Sequence, residues 1–349
     1  MGRKTYDIWA DVANTPQVHV IASIIRELRG YSIYVTGFNR GETAQLIKMY
    51  GLDGQVFGSD KYNPLMKSLS FAGRTFRLLY KAPNAKLLLS FENAMPIPAG
   101  KLRRMRVVLM LDNDLKFIGK KPLFQRIESR IKRMADIVLV PEVAEDTFRE
   151  YFGDRVVTYP GYKEHIYLAD FEPNPRFLDE SGIPFDEYVV VRPESLTSLY
   201  VLHGKSLVPE LLRLFEKEGI NVVYLPRNEE EGALAKGFGN VYIPPRALDG
   251  LNLIYHSMAT LTGSGTMARE AAVMGVPSVS FFPGERLLAV DRDLVEKGKM
   301  LHSREPGEIV EYVVDSWSRR KEKEIKEAKQ VKKQVITQIT GFIGGQYGY

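Results

Sequence analysis

The chain has 349 residues, 44% apolar and 26% charged, with a net charge of +5 and no cysteine. This length predicts about two domains, since single cores seldom grow past about 250 residues. The missing cysteine excludes disulfides, thiolate metal sites, iron–sulfur clusters and a cysteine nucleophile.

No apolar run approaches the ~20 residues that cross a bilayer. The opening MGRKTYDIWADVAN lacks a signal-peptide apolar region, so a cytoplasmic protein is expected. YDIWADV (6–12) predicts a strand ending at Asp11 and Val12. Pro16 suits a helix start, and Val18, Ile21, Ile25 and Leu28 form one stripe before Gly30 stops it. His19 falls near the start of that helix, and an imidazole titrating near neutrality can take a proton from a hydroxyl. Asp11 can orient that ring or bind an acceptor; both residues also fit purely structural roles.

SIYVTG, KLLLSF, RVVLML and DIVLV read as further strands alternating with helical stretches, the pattern of an α/β protein with parallel sheets. Glu92, in SFENAMP, and Asp112 and Asp114, in LMLDNDLK, follow two of these strands. Carboxylates there can hold acceptor hydroxyls, share acid–base work, or neutralise the surrounding Lys and Arg. That basic field is dense: residues 61–133 hold seventeen Lys and Arg against four acids, a local +13 that leaves −8 for the remainder. Within it, 121–134 (KPLFQRIESRIKRM) sets Leu123, Ile127, Ile131 and Met134 at helical spacing, with Arg126, Arg130 and Arg133 along another side. Residues 64–80 mix basic and apolar character in the same way. Two readings stand: a core-packed helix with a solvated basic face, or a docking surface for a phosphorylated or membrane-bound partner, which would make the protein peripheral at the inner membrane face. No recognition motif for nucleic acid accompanies the charge.

YPGYKEHIYLADFEPNP (159–175), with three prolines, reads as a linker. It divides the chain into lobes 1–165 and 166–349, the second ending in a solvated helix drawn from the mixed-charge run 319–333. Tyr162, Lys163 and Glu164 in the linker carry no assignable chemistry. The second half repeats the alternation: YVVVR, a helix around 205–217, NVVYLP, a helix near 248–257, ATLTG, a helix at 266–274 and PSVSFF. MADIVLVPEVAEDTFREYFG (134–153) and MATLTGSGTMAREAAVMG (258–275) share a faint duplication. The expected fold is therefore α/β, with two Rossmann-like lobes facing across a cleft that holds the site.

The strongest local signal is ATLTGSGTMAREAAVMGVPSVSF (259–281). A strand ends in Thr262, Gly263, Ser264, Gly265 and Thr266, and a helix begins at once. Small residues let backbone amides approach a ligand, the helix amino end favours an anion, and the two hydroxyls add donors. Glu270, about one turn in, is better placed for a sugar hydroxyl than for phosphate. An ordinary capped helix after a tight turn fits the same spacing. No Lys follows the second glycine, so this is not the nucleotide phosphate loop. Arg192 ends the first strand of the second lobe, and its guanidinium matches phosphate oxygens; His203, Gly204 and Lys205 form a further candidate anion contact. No His or acidic cluster has metal-ligand spacing.

Gly263 to Glu270 with the following Gly-Val-Pro resembles the nucleotide-sugar motif of non-hydrolysing UDP-N-acetylglucosamine 2-epimerases, as does LDGLNLIYHSMA (248–259) the segment before it. The resemblance implies diphosphate contacts from Ser264 and Gly265 and ribose binding by Glu270. Gly263 stands where that motif has Asp, and Thr266 where it has a second Gly. Arg192 and Glu194 roughly match the epimerase His-Arg-x-Glu-Asn segment, and Glu92, Asp112 and Asp114 the approximate positions of its acids. Over most of its length the chain resembles a largely archaeal domain-of-unknown-function family of about this length. DVANTPQVHV, GYKEHIYLADFEPNP, VVVRPES and GSGTMAREAAVMG carry that resemblance. It implies the glycosyltransferase-B fold, shared with the epimerases and the lipid-linked transferase MurG, which also carries a histidine near the position of His19. Bacterial relatives have His where this chain has Gln17.

The function implied is a sugar-nucleotide-dependent glycosyltransferase, inverting and free of metal or other cofactor, taking a UDP-sugar and a phosphorylated or lipid-linked acceptor. A UDP-sugar 2-epimerase and a non-catalytic sugar-nucleotide-binding protein are the alternatives.

Overall fold

The computed structural model describes residues 5–40, 43–52, 54–59, 64–119, 122–194, 206–318 and 325–345. β1 (Thr5–Val12) has Ile8, Trp9, Ala10 and Val12 wholly buried, so both of its faces are covered, as a central strand of a parallel sheet requires. Asn14 caps α1 (Thr15–Glu27), its side chain accepting from the Gln17 amide at 3.2 Å with Pro16 in the first turn. Such a cap is worth about 1 kcal/mol.

The chain then runs β2 (Ile33–Asn39), α2 (Thr43–Met49), β3 (Gly54–Ser59), α3 (Pro64–Lys81), β4 (Asn84–Phe91), α4 (Ile97–Leu102), β5 (Arg106–Met110), α5 (Leu123–Lys132), β6 (Ile137–Pro141), α6 (Glu145–Phe152), β7 (Val156–Tyr159) and α7 (Lys163–Leu168). These strands form one parallel seven-stranded sheet in the order β3-β2-β1-β4-β5-β6-β7.

After α8 (Phe177–Ser181) the pattern restarts: β8 (Val189–Arg192), α9 (Val208–Lys217), β9 (Val222–Tyr224), α10 (Glu229–Ala233), β10 (Val241–Tyr242), α11 (Gly250–His256), β11 (Ala259–Thr262), α12 (Gly265–Val273), β12 (Ser278–Ser280), α13 (Ala289–Glu296), β13 (Leu301–His302), α14 (Pro306–Ser318) and α15 (Lys326–Gly344). The second sheet, also parallel, is ordered β10-β9-β8-β11-β12-β13. One side of it is closed by Leu211, Leu212 and Phe215 of α9 with Ile309 and Val313 of α14. Each sheet has the doubly wound Rossmann order. The strands read from the sequence are all present; β3, β7, β10 and β13 were not anticipated, being short or glycine-interrupted.

The chain divides into two compact units, residues up to Asp170 together with those from Ala328 on, and Phe171–Glu327. The expected division at 165/166 shifts accordingly, and the terminal helix belongs to the first unit rather than the second. Its apolar residues Ala328, Val331, Val335, Ile339 and Phe342 recur at helical spacing and are all buried. Gln338 donates to the Thr158 carbonyl at 2.7 Å, Arg106 donates to the Phe342 carbonyl at 2.9 Å, and buried Lys332 reaches Glu27 at 2.8 Å. A solvated terminal helix is therefore not what forms.

The supposed linker contains α7, whose six residues are all buried; Ser23 of α1 donates to the Ile166 carbonyl at 2.7 Å. The faint duplication also fails topologically. β11 sits beside the first strand of its sheet, as β4 does, whereas β6 lies two places further out. Nor does α5 pack as a core helix: Leu123, Ile127 and Met134 are exposed. No helix among the described residues is long and apolar enough to cross a membrane.

Candidate functional site

In the second unit the strand order reverses between β8 and β11, and open α/β sheets bind ligands outside the carboxyl ends of strands at such a switch point. Arg192 and Thr262 are register partners there, and the Gly263 amide donates to the Arg192 carbonyl at 3.1 Å. The Arg192 guanidinium reaches the first turn of α12, 3.7 Å from the Met267 sulfur. The two motifs therefore meet, although seventy residues of chain lie between them.

The turn itself is built by Thr262, whose Oγ1 accepts from the Ser264 amide at 2.9 Å and lies 3.0 Å from the Ser264 hydroxyl. Ser264 is the N-cap residue of α12, yet its side chain makes no capping bond. Ser264, Gly265 and Thr266 keep part of their surface accessible, while Glu270 lies buried one turn deeper. A helix amino end without a capping side chain, with a guanidinium beside it, is suited to an anion.

The structure explains both glycines. A Cβ on Gly263 would stand 2.5 Å from the Glu194 Cα, and one on Gly265 would stand 2.5 Å from the Arg269 guanidinium. Arg269 is buried against Asp291 at 2.8 Å, a pair that the sequence alone did not bring out. Glu194 is buried too, accepting from the Ser206 hydroxyl at 2.7 Å, with Arg304 at 3.4 Å. It therefore shapes the site from behind. His203, Gly204 and Lys205 lie outside the described residues.

In the first unit the switch point falls between β1 and β4. Gln17, buried, folds back to accept from the Ala13 amide at 2.6 Å, which fixes the turn leading into α1. His19, half-buried one turn into α1, pairs through Nδ1 with the Tyr50 hydroxyl at 2.7 Å, and its ring lies 5.7 Å from that of Tyr167. Asp11 does not orient it. Its wholly buried carboxylate accepts from Arg74 at 2.7 and 3.2 Å and from Thr36 and Asn93. Four donors occupy about all the lone-pair positions a carboxylate has.

Glu92 and Asp112 do come together. Glu92 has a left-handed backbone (φ 54°), and its Oε1 accepts from the Asp112 and Asn113 amides, both at 3.0 Å. Its Oε2 meets Lys116 at 2.8 Å and Lys132 at 3.4 Å. Burial works to raise its pKa, but the charges of the two lysines and the bonds from Lys116 and the Asn113 amide outweigh it, holding the carboxyl well below the usual range. A carboxylate so stabilised is a weak proton acceptor. Asp112 pairs with the buried Lys163, which also reaches Glu164 at 3.1 Å. Asp114, wholly buried, opens a short 3₁₀ turn. Of the three lysines that organise this cluster, Lys116 lies in the LMLDNDLK segment itself, Lys132 in the basic 121–134 run and Lys163 in the supposed linker, and nothing in their local sequence marked them as partners of Glu92 and Asp112.

Residues 6–340 match the family described as "Protein of unknown function (DUF354)". The chain belongs to that family. Among relatives of this DUF354 chain, the uncharacterized protein MJ0665 of Methanocaldococcus jannaschii is 27% identical over 324 residues, 90% of this chain and 92% of that one. Among solved structures, the UDP-GlcNAc 2-epimerase of M. jannaschii in complex with UDP-GlcNAc and UDP superposes with a TM-score of 0.72 at 12% identity, covering 96% of this chain and 100% of that one. The glycotransferase of kitacinnamycin gives 0.62 at 13%, covering 97% and 99%. At such identities the likeness shows the fold: the DUF354 chain has two parallel α/β sheets of the glycosyltransferase-B type.

Proposed function

We propose that this DUF354 protein is a sugar-nucleotide-dependent enzyme, and that it transfers the sugar, with inversion, to a phosphorylated or lipid-linked acceptor. The observation that carries the reading is the meeting of Arg192 with the Thr262–Thr266 turn at the switch point of the second sheet. In this reading the amides and hydroxyls of Ser264, Gly265 and Thr266 hold the diphosphate of a UDP-sugar, and Glu270 accepts from the ribose hydroxyls. The epimerase bound to UDP-GlcNAc and UDP lends the nucleotide class.

His19 is proposed as the base. It removes the acceptor O–H proton, the oxygen bonds to the sugar anomeric carbon, and the bond from that carbon to the diphosphate breaks with its electron pair leaving on phosphate. Arg192 and the amino end of α12 stabilise that developing charge, so no metal ion is required. Asp11, Glu92 and Asp112 hold the first-unit loops in place, being engaged by Arg74, Lys116, Lys132 and Lys163.

A 2-epimerase is the second reading, favoured by the superposition with epimerases. Elimination and re-addition need acids that exchange protons readily, and Glu92 is held ionised, which weighs toward transfer. Incubation with UDP-N-acetylglucosamine alone, followed by proton NMR, separates the two. The proposed transferase leaves the sugar configuration unchanged without an acceptor, and formation of the manno isomer would overturn it. Tight UDP binding with no turnover on any donor in the presence of membrane extract would instead indicate a sugar-nucleotide-binding protein.

A further inference from the structure

The first unit carries an apolar surface that the sugar-nucleotide reading does not use. On α3, Leu69 is 65% exposed and Phe76 60%, with Tyr80 on the same helix face one turn beyond. On α5, Leu123 is 71% and Ile127 50% exposed, with Met134 following. The helices adjoin through Phe71 and Phe124, whose rings meet edge to face at 5.2 Å. Leu69, Phe76 and Tyr80 on α3 and Leu123, Phe124 and Ile127 on α5 are six exposed large apolar side chains on two neighbouring helices, a density that a monomeric soluble protein rarely leaves bare.

The charge around it has one sign. Arg77, Arg126 and Arg130 are exposed and enter no ion pair with a described residue. α3 contains no acidic residue, and the one acid of α5, Glu128, is turned to the buried Lys132 at 2.9 Å. A cavity of about 390 Å³ opens beside the stripe, lined by Leu69, Ser70, Gly73 and Arg77, with Gly58 and Ser59 at the end of β3. It offers an exposed guanidinium and a hydroxyl next to apolar side chains.

We infer that this face docks on the surface of an anionic lipid bilayer, with Leu69, Phe76, Leu123 and Ile127 entering the headgroup boundary and Arg77, Arg126 and Arg130 on lipid phosphates. Apolar side chains interspersed with basic ones are what such an interface selects. A second copy of the chain fits poorly, because a two-fold contact would set the same unpaired arginines against one another. A nucleic acid would answer the charge but leave the apolar side chains bare. The inference is independent of the nucleotide reading, since all its residues lie on α3 and α5 and none belongs to the proposed site.

The test is co-sedimentation of the full chain with vesicles of phosphatidylglycerol and of phosphatidylcholine. Binding to the anionic vesicles and at least about tenfold weaker binding to the neutral ones is expected. Changing Arg77, Arg126 and Arg130 together to Gln should weaken the anionic binding by roughly a hundredfold, at about fivefold per charge. Phe76→Ser with Leu123→Ser should weaken it while the thermal midpoint stays put, as both side chains are exposed. Absence of binding to phosphatidylglycerol overturns the inference, as does binding that neither set of substitutions changes. A dimer in solution that Phe76→Ser with Leu123→Ser dissociates, without vesicle binding, also overturns it, because the occupant is then a second copy.

Discussion

Arg192 and Thr262 lie side by side as register partners on β8 and β11, so the guanidinium and the turn beginning at Gly263 leave the sheet together at its carboxyl edge. That relationship ties an arginine to a phosphate-sized turn by backbone hydrogen bonding, and it makes the nucleotide reading testable residue by residue. Arg192→Ala should weaken UDP binding by about ten- to a hundredfold in calorimetric titration, the worth of one or two charge-assisted hydrogen bonds. Arg192→Lys should recover only part of that, since an ammonium lacks the fork. Unchanged affinity in the alanine variant would remove Arg192 from the site.

Glu270 makes a different prediction, because its proposed partner is the ribose rather than the diphosphate. Wild-type protein should prefer UDP over 2′-deoxy-UDP by about tenfold, one charge-assisted hydrogen bond. Glu270→Ala should bind the two equally. A variant that still discriminates shows that the ribose is read elsewhere.

Gly263 stands where the epimerase motif carries Asp, and the reason is steric. With a Cβ 2.5 Å from the Glu194 backbone, Gly263→Asp should lower stability by about 1–3 kcal/mol through overpacking. Because the contact is with the Glu194 backbone, Gly263→Ala should show a loss of the same sign in chemical denaturation. A Gly263→Asp variant as stable as wild type would show that the turn moves freely.

The Asp11–Arg74 pair distinguishes a structural from a catalytic carboxylate. Asp11→Asn leaves a buried guanidinium with a neutral partner and should cost about 3–5 kcal/mol in urea unfolding. Were Asp11 catalytic instead, turnover would fall with stability unchanged.

Acid should destabilise the first unit through Glu92. Its carboxyl is held below the ordinary 4.5 in the folded protein, so the unfolded chain binds the proton more readily. Its contribution to stability is complete above pH 4.5 and is lost as the pH falls below that value. Glu92→Gln should cost about 3 kcal/mol at neutral pH, less if Lys132 leans on Glu128, and should flatten the acid limb of the stability curve. A variant with the wild-type slope would place the acid-sensitive group elsewhere.

Much of this protein is fixed by its chain alone. The alternation of Val, Ile and Leu runs with amphipathic stretches dictates an α/β fold, because a doubly covered parallel sheet needs strands apolar on both faces. The Thr262–Thr266 turn and Glu270 are local features, readable because a strand end, a turn and a helix start are adjacent in sequence. The tertiary structure decided what depends on contacts between distant segments. Strand order put Arg192 against Thr262, brought Arg74 from α3 onto Asp11, and gathered Lys116, Lys132 and Lys163 around Glu92 and Asp112. No local pattern marks such partners, since each is chosen by which strands and helices become neighbours. The same holds for α15, whose sequence reads as solvated although its apolar residues complete the first unit. It holds in reverse for α3 and α5: their apolar stripes look like core, and only the packed structure leaves them facing outward among unpaired arginines.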